Sequence, residues 1–275
     1  MYGEAKLYST AMSEQDDITI RECVSVEDFW QCVELEKSIW KDSDLGIMPV
    51  RLYMISKACN APTIGAFDGS GRLVGFVHTS IAIKQGHVFY HSHLAAVVED
   101  LRHRDIGFRM KLAQRARAIE LGISLIMWTF DPLQSRNAHL NINKLGVIIR
   151  RYEVNYYSEG ISKVFDSDIP SDRVFAEWWI ASPHVESVLA GNKPGSFDSG
   201  SIEIPEDIEA ASRGSLEEHL TWRVQVRSRF QSELSKGNIV RGFIRHPETR
   251  TSRYIFGPDD SQFQFKSTNG LKVTD

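Results

Sequence analysis

The chain has 275 residues, 42% hydrophobic and 25% charged, with a formal net charge of −4. That length can bury a substantial core, and the composition is that of a globular protein rather than a disordered or fibrous one. The acidic balance argues against broad nucleic-acid binding, and no apolar run reaches bilayer length, so neither a nucleic acid nor a membrane is expected as a partner.

Cys23, Cys32 and Cys59 lack metal-ligand spacing and read as buried, reduced thiols, so no metal is expected. The N-terminus carries Glu4, Glu14, Asp16 and Asp17 without an apolar signal core, which suggests a cytoplasmic protein. Residues 1–17 read as a polar, mobile arm. Ile18-Thr19-Ile20-Arg21 alternates like a first strand. Ser25 and Asp28 make a capping-box variant that opens a helix to about Trp40, with Phe29, Val33 and Trp40 on its apolar side. A second helical segment follows Pro49. Strands at Thr63–Asp68 and Arg72–Ile83 form a hairpin through Gly69-Ser70-Gly71. A further strand covers His87–Val97. The next helix, from about Ile106 to Leu121, is expected to bury Phe108, Leu112, Ala116 and Ile119, and Gly122 stops it.

A buried strand follows at 124–130, and strand, helix and strand over 90–130 make a crossover unit of the kind that joins parallel strands. Val147–Tyr157 and Val174–Ala181 read as strands. A linker rich in glycine, serine and proline covers 190–201. Beyond it lie a helix at Leu216–Leu234 and a hairpin of Ile239–Arg245 with Tyr254-Ile255-Phe256. The tail either completes the same sheet or packs as a separate cap. The expected organisation is an arm (1–17), a main domain (18–189), a linker (190–201) and a C-terminal extension (202–275).

Most of the functional information lies where Leu94-Ala95-Ala96-Val97-Val98 enters a basic turn, Arg102-His103-Arg104, from which a helix leaves. Cationic side chains at a helix start are locally unfavourable, because free N–H groups already make that end partly positive. A bound anion resolves the conflict, and a phosphate-bearing cofactor would supply it. The plainer reading makes Asp105 a cap for the helix's own amides.

With Arg102 and Gly107 at its outer positions, the turn resembles the pyrophosphate loop of the GNAT superfamily of acyl-CoA-dependent N-acyltransferases. That family's pattern is Gln/Arg-x-x-Gly-x-Gly/Ala, and Asp105 replaces the middle glycine. Thr129–Ala138 (TFDPLQSRNA), Lys144-Leu145-Gly146, Tyr152 and Asn155-Tyr156-Tyr157 resemble one branch of the superfamily. Gln114-Arg115, Pro170-Ser171-Asp172-Arg173 and Glu177-Trp178 fit that branch too, and the resemblance spans about residues 18–182.

The resemblance implies an α/β fold: a GNAT-like mixed, mostly antiparallel sheet with a parallel, splayed strand pair, flanked by helices, here with a C-terminal helix-hairpin extension. It implies acetyl-CoA or another short acyl-CoA as co-substrate and no metal. Backbone of Leu94, Ala95, Ala96 and Val97 would contact pantetheine and polarise the thioester carbonyl. Arg102, His103, Arg104, Asp105, Ile106, Gly107 and Phe108 would hold the pyrophosphate. Asn137 would hydrogen-bond the cofactor's amide arm, or else cap its helix. Many relatives carry a catalytic tyrosine two residues before the lysine of Lys-x-Gly; here that position is Ile142, leaving Tyr152, Tyr156 or Tyr157 as substitutes.

Acyl transfer to an amine needs a neutral amine, and so a base. His91 and His93 lie two apart on one strand and face the same side; His93, nearer the expected acyl centre, is the favoured catalytic residue. Glu99 is the second candidate, with a surface loop carboxylate as its plainer role. His78, alone in an apolar strand, reads as a satisfied histidine. Asp131 and Arg136 could recognise an amino acid's ammonium and carboxylate, or pair with each other across their turn. The leading reading is transfer of an acetyl, succinyl or other short acyl group from CoA to a small-molecule amine. The alternative is a non-catalytic acyl-CoA binder or sensor of the same fold. A homodimer is compatible with either.

Overall fold

The structure, a computed structural model, describes residues 17–41, 46–84, 86–157, 168–192, 199–260 and 262–265. Nearly all of the expected N-terminal arm and the middle of the linker, 193–198, lie outside those residues. The described chain forms two compact units that divide after Ile126.

In the first unit β1 (Thr19–Glu22), β2 (Thr63–Phe67), β3 (Leu73–Lys84) and β4 (His87–Val97) are neighbours in that order, each antiparallel to the next. Helices α1 (Val26–Trp40) and α2 (Val50–Ala58) cover one face, over a core that includes Phe29, Cys32, Val33, Tyr53 and Phe76. Helix α3 (Ile106–Glu120) covers the other, over Ile20, Ile64, Val74 and Val77. The capping box forms at the start of α1: Asp28 N–H donates to Ser25 Oγ, and Ser25 N–H donates to Asp28 Oδ2. Arg21 grips the same carboxylate with two hydrogen bonds of 2.8 and 2.9 Å, which holds the Asp28 pKa below its ordinary value against the opposing effect of burial. Cys23 and Cys32 are buried with sulfurs 4.0 Å apart, whereas Cys59, at the end of α2, is exposed, contrary to expectation.

Helix α3 has the expected ends, but its buried face differs. Ile106, Met110, Lys111, Ala113, Gln114 and Ala118 are buried, while Phe108, Leu112 and Ala116 are half-buried and Ile119 is exposed. An apolar template misplaces this face because two of its inward residues are polar and find polar partners inside.

The second unit contains β5 (Leu125–Phe130, whose first two residues belong to the first unit), β6 (Ile148–Glu153), β7 (Arg173–Trp179), β8 (Gly200–Pro205), β9 (Asn238–His246) and β10 (Thr251–Pro258). Their order is β5-β7-β6-β9-β10-β8. β6 pairs antiparallel with β7 and β9, and β10 with β9 and β8. The residues beyond the linker therefore extend this unit's sheet and do not form a separate cap. β8 takes in Gly200 and Ser201, the end of the expected linker, and its Ile202 and Ile204 alternate inward and are fully buried. A short helix α4 (Ser135–Ala138) continues into a π-helical stretch at His139–Lys144. Helices α5 (Pro183–Leu189) and α6 (Ile208–Ser212) are additions to the expected elements, and α7 (Leu216–Ser235) packs Phe230 against Tyr152, Tyr254 and Phe256. Among the described residues no helix is long and apolar enough to cross a membrane.

Candidate functional site

The β3–β4 ladder carries the first unusual feature. Thr79 pairs with Ser92, but the next residue back on β3, His78, pairs with Leu94. His93 is the extra residue of a β-bulge, a device that interrupts the ladder and re-aims side chains. Before the bulge, Ser92 points towards α3, where it meets Lys111. His91 and His93 share the opposite face, with ring centroids 6.2 Å apart. After it, Leu94 packs into the α1/α2 core, so His93 and Leu94 emerge on the same side.

The histidines differ in surroundings. His78 is buried, its Nδ1 2.8 Å from Thr63 Oγ1 and its Nε2 3.3 Å from Ser56 Oγ, as the plainer reading expects. Burial first, and then the neighbouring His93, push its pKa down to about 3. His91 is pushed down to about 4 by burial, His93 and Lys111. His93 is exposed as a residue; partial desolvation of its ring still lowers its pKa from 6.5, which favours the neutral, proton-accepting form near pH 7.

Downstream, Glu99–Leu101 form a 3-10 turn, and Arg102, His103 and Arg104 follow it, all exposed. Arg102 donates through Nε to the Val97 carbonyl at 3.3 Å. Asp105 occupies the N-cap position of α3 but makes no side-chain capping bond, so the plain capping reading fails. Its φ is +53°. That is the left-handed conformation glycine adopts most readily and aspartate tolerates better than most residues. Asp105 thus takes a backbone shape in which a glycine would be unstrained.

Gly107, the second residue of α3, has an ordinary helical φ, and among the described residues a Cβ there would meet nothing within 4 Å beyond its chain neighbours and its own helix backbone. Glycine weakens a helix by about 1 kcal/mol relative to alanine, and no contact among the described residues requires it here. The open space lies beside the first-turn amides of Ile106 and Gly107, which have no intrahelical acceptor. An exposed basic turn, donor amides and clearance for close approach together fit a diphosphate. Among the described residues, no group of three or more His, Cys, Asp or Glu could hold a metal ion.

The remaining predicted residues lie in the second unit, apart from Glu99, which is exposed in the 3-10 turn. Asp131 does not pair with Arg136. Arg223 of α7 grips it through two bonds of 2.6 and 2.7 Å, and its Oδ1 also accepts from Leu133 N–H. Arg136 and Asn137 are exposed within α4, so Asn137 does not cap that helix. Ile142 is fully buried. Tyr152 donates to Asp172 at 2.5 Å, and burial followed by that bond raises its pKa. Asp172 is held in turn by Arg227. Tyr157 Oη lies 3.3 Å from Thr129 Oγ1, and Tyr156 is exposed. Sequence reasoning missed Arg223 and Arg227, whose only signal is their i, i+4 spacing on one helix face.

No family model and no curated protein matches the chain. It is similar to several solved structures. An N-acetyltransferase from Staphylococcus aureus Mu50 superposes with a TM-score of 0.48 at 13% identity, covering 60% of this chain and 99% of that one. A NatC complex bound to Gag peptide and CoA gives 0.48 at 13% identity, covering 59% and 98%. A mosquito arylalkylamine N-acetyltransferase-like protein, 5b, gives 0.46 at 14% identity, covering 58% and 98%.

Proposed function

We propose that this chain is a GNAT-type N-acyltransferase that moves an acetyl or other short acyl group, succinyl among them, from CoA to the amine of a small molecule such as an amino acid. The observation that carries the reading is the start of α3. Asp105 takes a glycine-like conformation, Gly107 leaves open space, and three basic side chains stand beside them, a short distance along the chain from a bulge that carries an accessible histidine.

In this reading Arg102, His103 and Arg104 neutralise the diphosphate, and the amides of Ile106 and Gly107 donate to it, with Asp105 and Phe108 on either side. The backbone of Leu94, Ala95, Ala96 and Val97 lines the pantetheine arm. A bound acyl thioester would supply the electrophilic carbonyl. His93 accepts a proton from the incoming ammonium or amine, directly or through one water, and Glu99 is next in line.

A second reading, a non-catalytic acyl-CoA sensor, draws on Ile142, buried where relatives place a tyrosine, and on Tyr152, whose hydroxyl is committed to Asp172. Two measurements test the pair of readings. A shift in melting temperature with CoA thioesters reports binding. Release of CoA thiol across a panel of amines reports turnover. Binding without turnover favours the sensor, and absence of binding rejects both.

A further inference from the structure

Four polar side chains are buried where α3 crosses β3 and β4. Thr79 and Gln114 are 0% exposed, Ser92 5% and Lys111 6%. They satisfy one another. Lys111 Nζ donates to Ser92 Oγ at 2.7 Å and to Gln114 Oε1 at 3.3 Å. Gln114 Nε2 donates to Thr79 Oγ1 at 2.8 Å and to Ser92 Oγ at 3.2 Å.

Such a network is costly for stability. Burying an ammonium carries a desolvation penalty that a methionine or leucine of similar volume would avoid. Burial accordingly drops the Lys111 pKa to about 7. What an apolar pair could not supply is register. Grease on a pleated face tolerates sliding, whereas directional bonds to two named hydroxyls do not.

Those two hydroxyls belong to Thr79 and Ser92, the last regular pair before the bulge. The next residue is His93. Lys111 and Gln114 therefore tie the helix that begins at the proposed diphosphate site to the strand position from which the proposed base projects.

Resting on the acyltransferase reading, we propose that Lys111 and Gln114 are positioning residues that hold the β4 bulge, and with it the His93 ring, in working register through Ser92 and Thr79. They touch neither substrate nor cofactor. A misplacement of about 1 Å at a reacting group can cost on the order of a hundredfold in rate, which sets the scale of the effect.

The test compares the intact chain with K111M, Q114L and K111M/Q114L, which roughly keep volume and remove the bonds. The expected result is a fall in kcat of roughly ten- to a hundredfold. CoA affinity should stay within about twofold. Amide hydrogen exchange at residues 92–95 should quicken, and the NMR titration of His93 should move. A core that is merely structural would change melting temperature without these effects. A folded double variant with wild-type kcat and wild-type exchange at 92–95 overturns the proposal. Should the double variant not fold, S92A removes the shared acceptor alone and is judged by the same two readouts. If the unaltered protein neither binds CoA nor turns over, the acyltransferase reading fails. The pinning of the bulge then stands or falls on exchange at 92–95 alone.

Discussion

Replacing Asp105 separates its two properties, a charge and a left-handed backbone. Asp105→Gly removes both the charge and the strain, while Asp105→Asn removes the charge and keeps a side chain that tolerates φ near +53°. For stability the two effects of glycine oppose each other. Relief of left-handed strain is worth about 1 kcal/mol, and the more flexible unfolded chain takes back about 0.4–1 kcal/mol. The melting temperature should move by no more than about 2 °C. Binding is different. A carboxylate about 7 Å from a phosphate in water is repelled by about 0.6 kcal/mol, and two phosphates double that. Screening at about 0.15 M salt removes roughly half, leaving about 0.6 kcal/mol, or nearly threefold in affinity. Isothermal titration with CoA should find both variants binding about threefold more tightly at about 0.15 M salt, with a larger gain at lower salt. If neither variant binds CoA more tightly than the parent, the diphosphate does not sit at this turn.

Charge reversal at the same turn, Arg102→Glu with Arg104→Glu, should weaken CoA binding strongly with little loss of melting temperature, because both side chains are exposed; unchanged affinity would remove the site. His93→Gln should lower kcat by about two to four orders of magnitude and leave CoA affinity alone. Because the folded-state pKa of His93 lies below 6.5, the acid limb of the parent's rate profile should fall below pH 6.5 and vanish in the variant, with His91→Gln as the milder control. Finally, His78 and His91 are held at about 3 and 4, against 6.5 when exposed, so the unfolded chain takes up protons first as pH falls. Stability should be fully present above about pH 6.5 and decline towards pH 4, and urea unfolding at pH 7 and pH 5 should show less of that decline in His91→Gln.

Several local signals match the structure, although the caps expected of Asp105 and Asn137 do not form. The capping box at Ser25 and Asp28, the hairpin through Gly69-Ser70-Gly71 and both ends of α3 are settled within a few residues of chain. The placement of Arg102, His103 and Arg104 just ahead of α3 follows from local sequence too. What escaped depends on partners far along the chain. The buried face of α3 was misassigned because Lys111 and Gln114 look like surface residues until Ser92 and Thr79 are brought under them. Arg136 was the nearest cation to Asp131 in sequence, yet Arg223, 92 residues away, takes the carboxylate. The bulge at His93 leaves no compositional mark, since it is a slip between two strands and not a property of either.

The pairing of β9 with β6 bears on how this protein can be cut. A boundary near residue 190 looks natural from composition, and a fragment ending there would contain every residue assigned to catalysis or cofactor. It would also leave one side of β6 as a raw edge, open to pairing with another chain. The same cut removes α7, and with it Arg223 and Arg227, so that Asp131 and the fully buried Asp172 lose their counter-charges together. Stranding a buried carboxylate in this way costs about 3–5 kcal/mol, a large part of what holds an ordinary domain together. The last third of the chain is structurally inseparable from the strands before it, and a fragment ending at residue 189 should be recovered as aggregate.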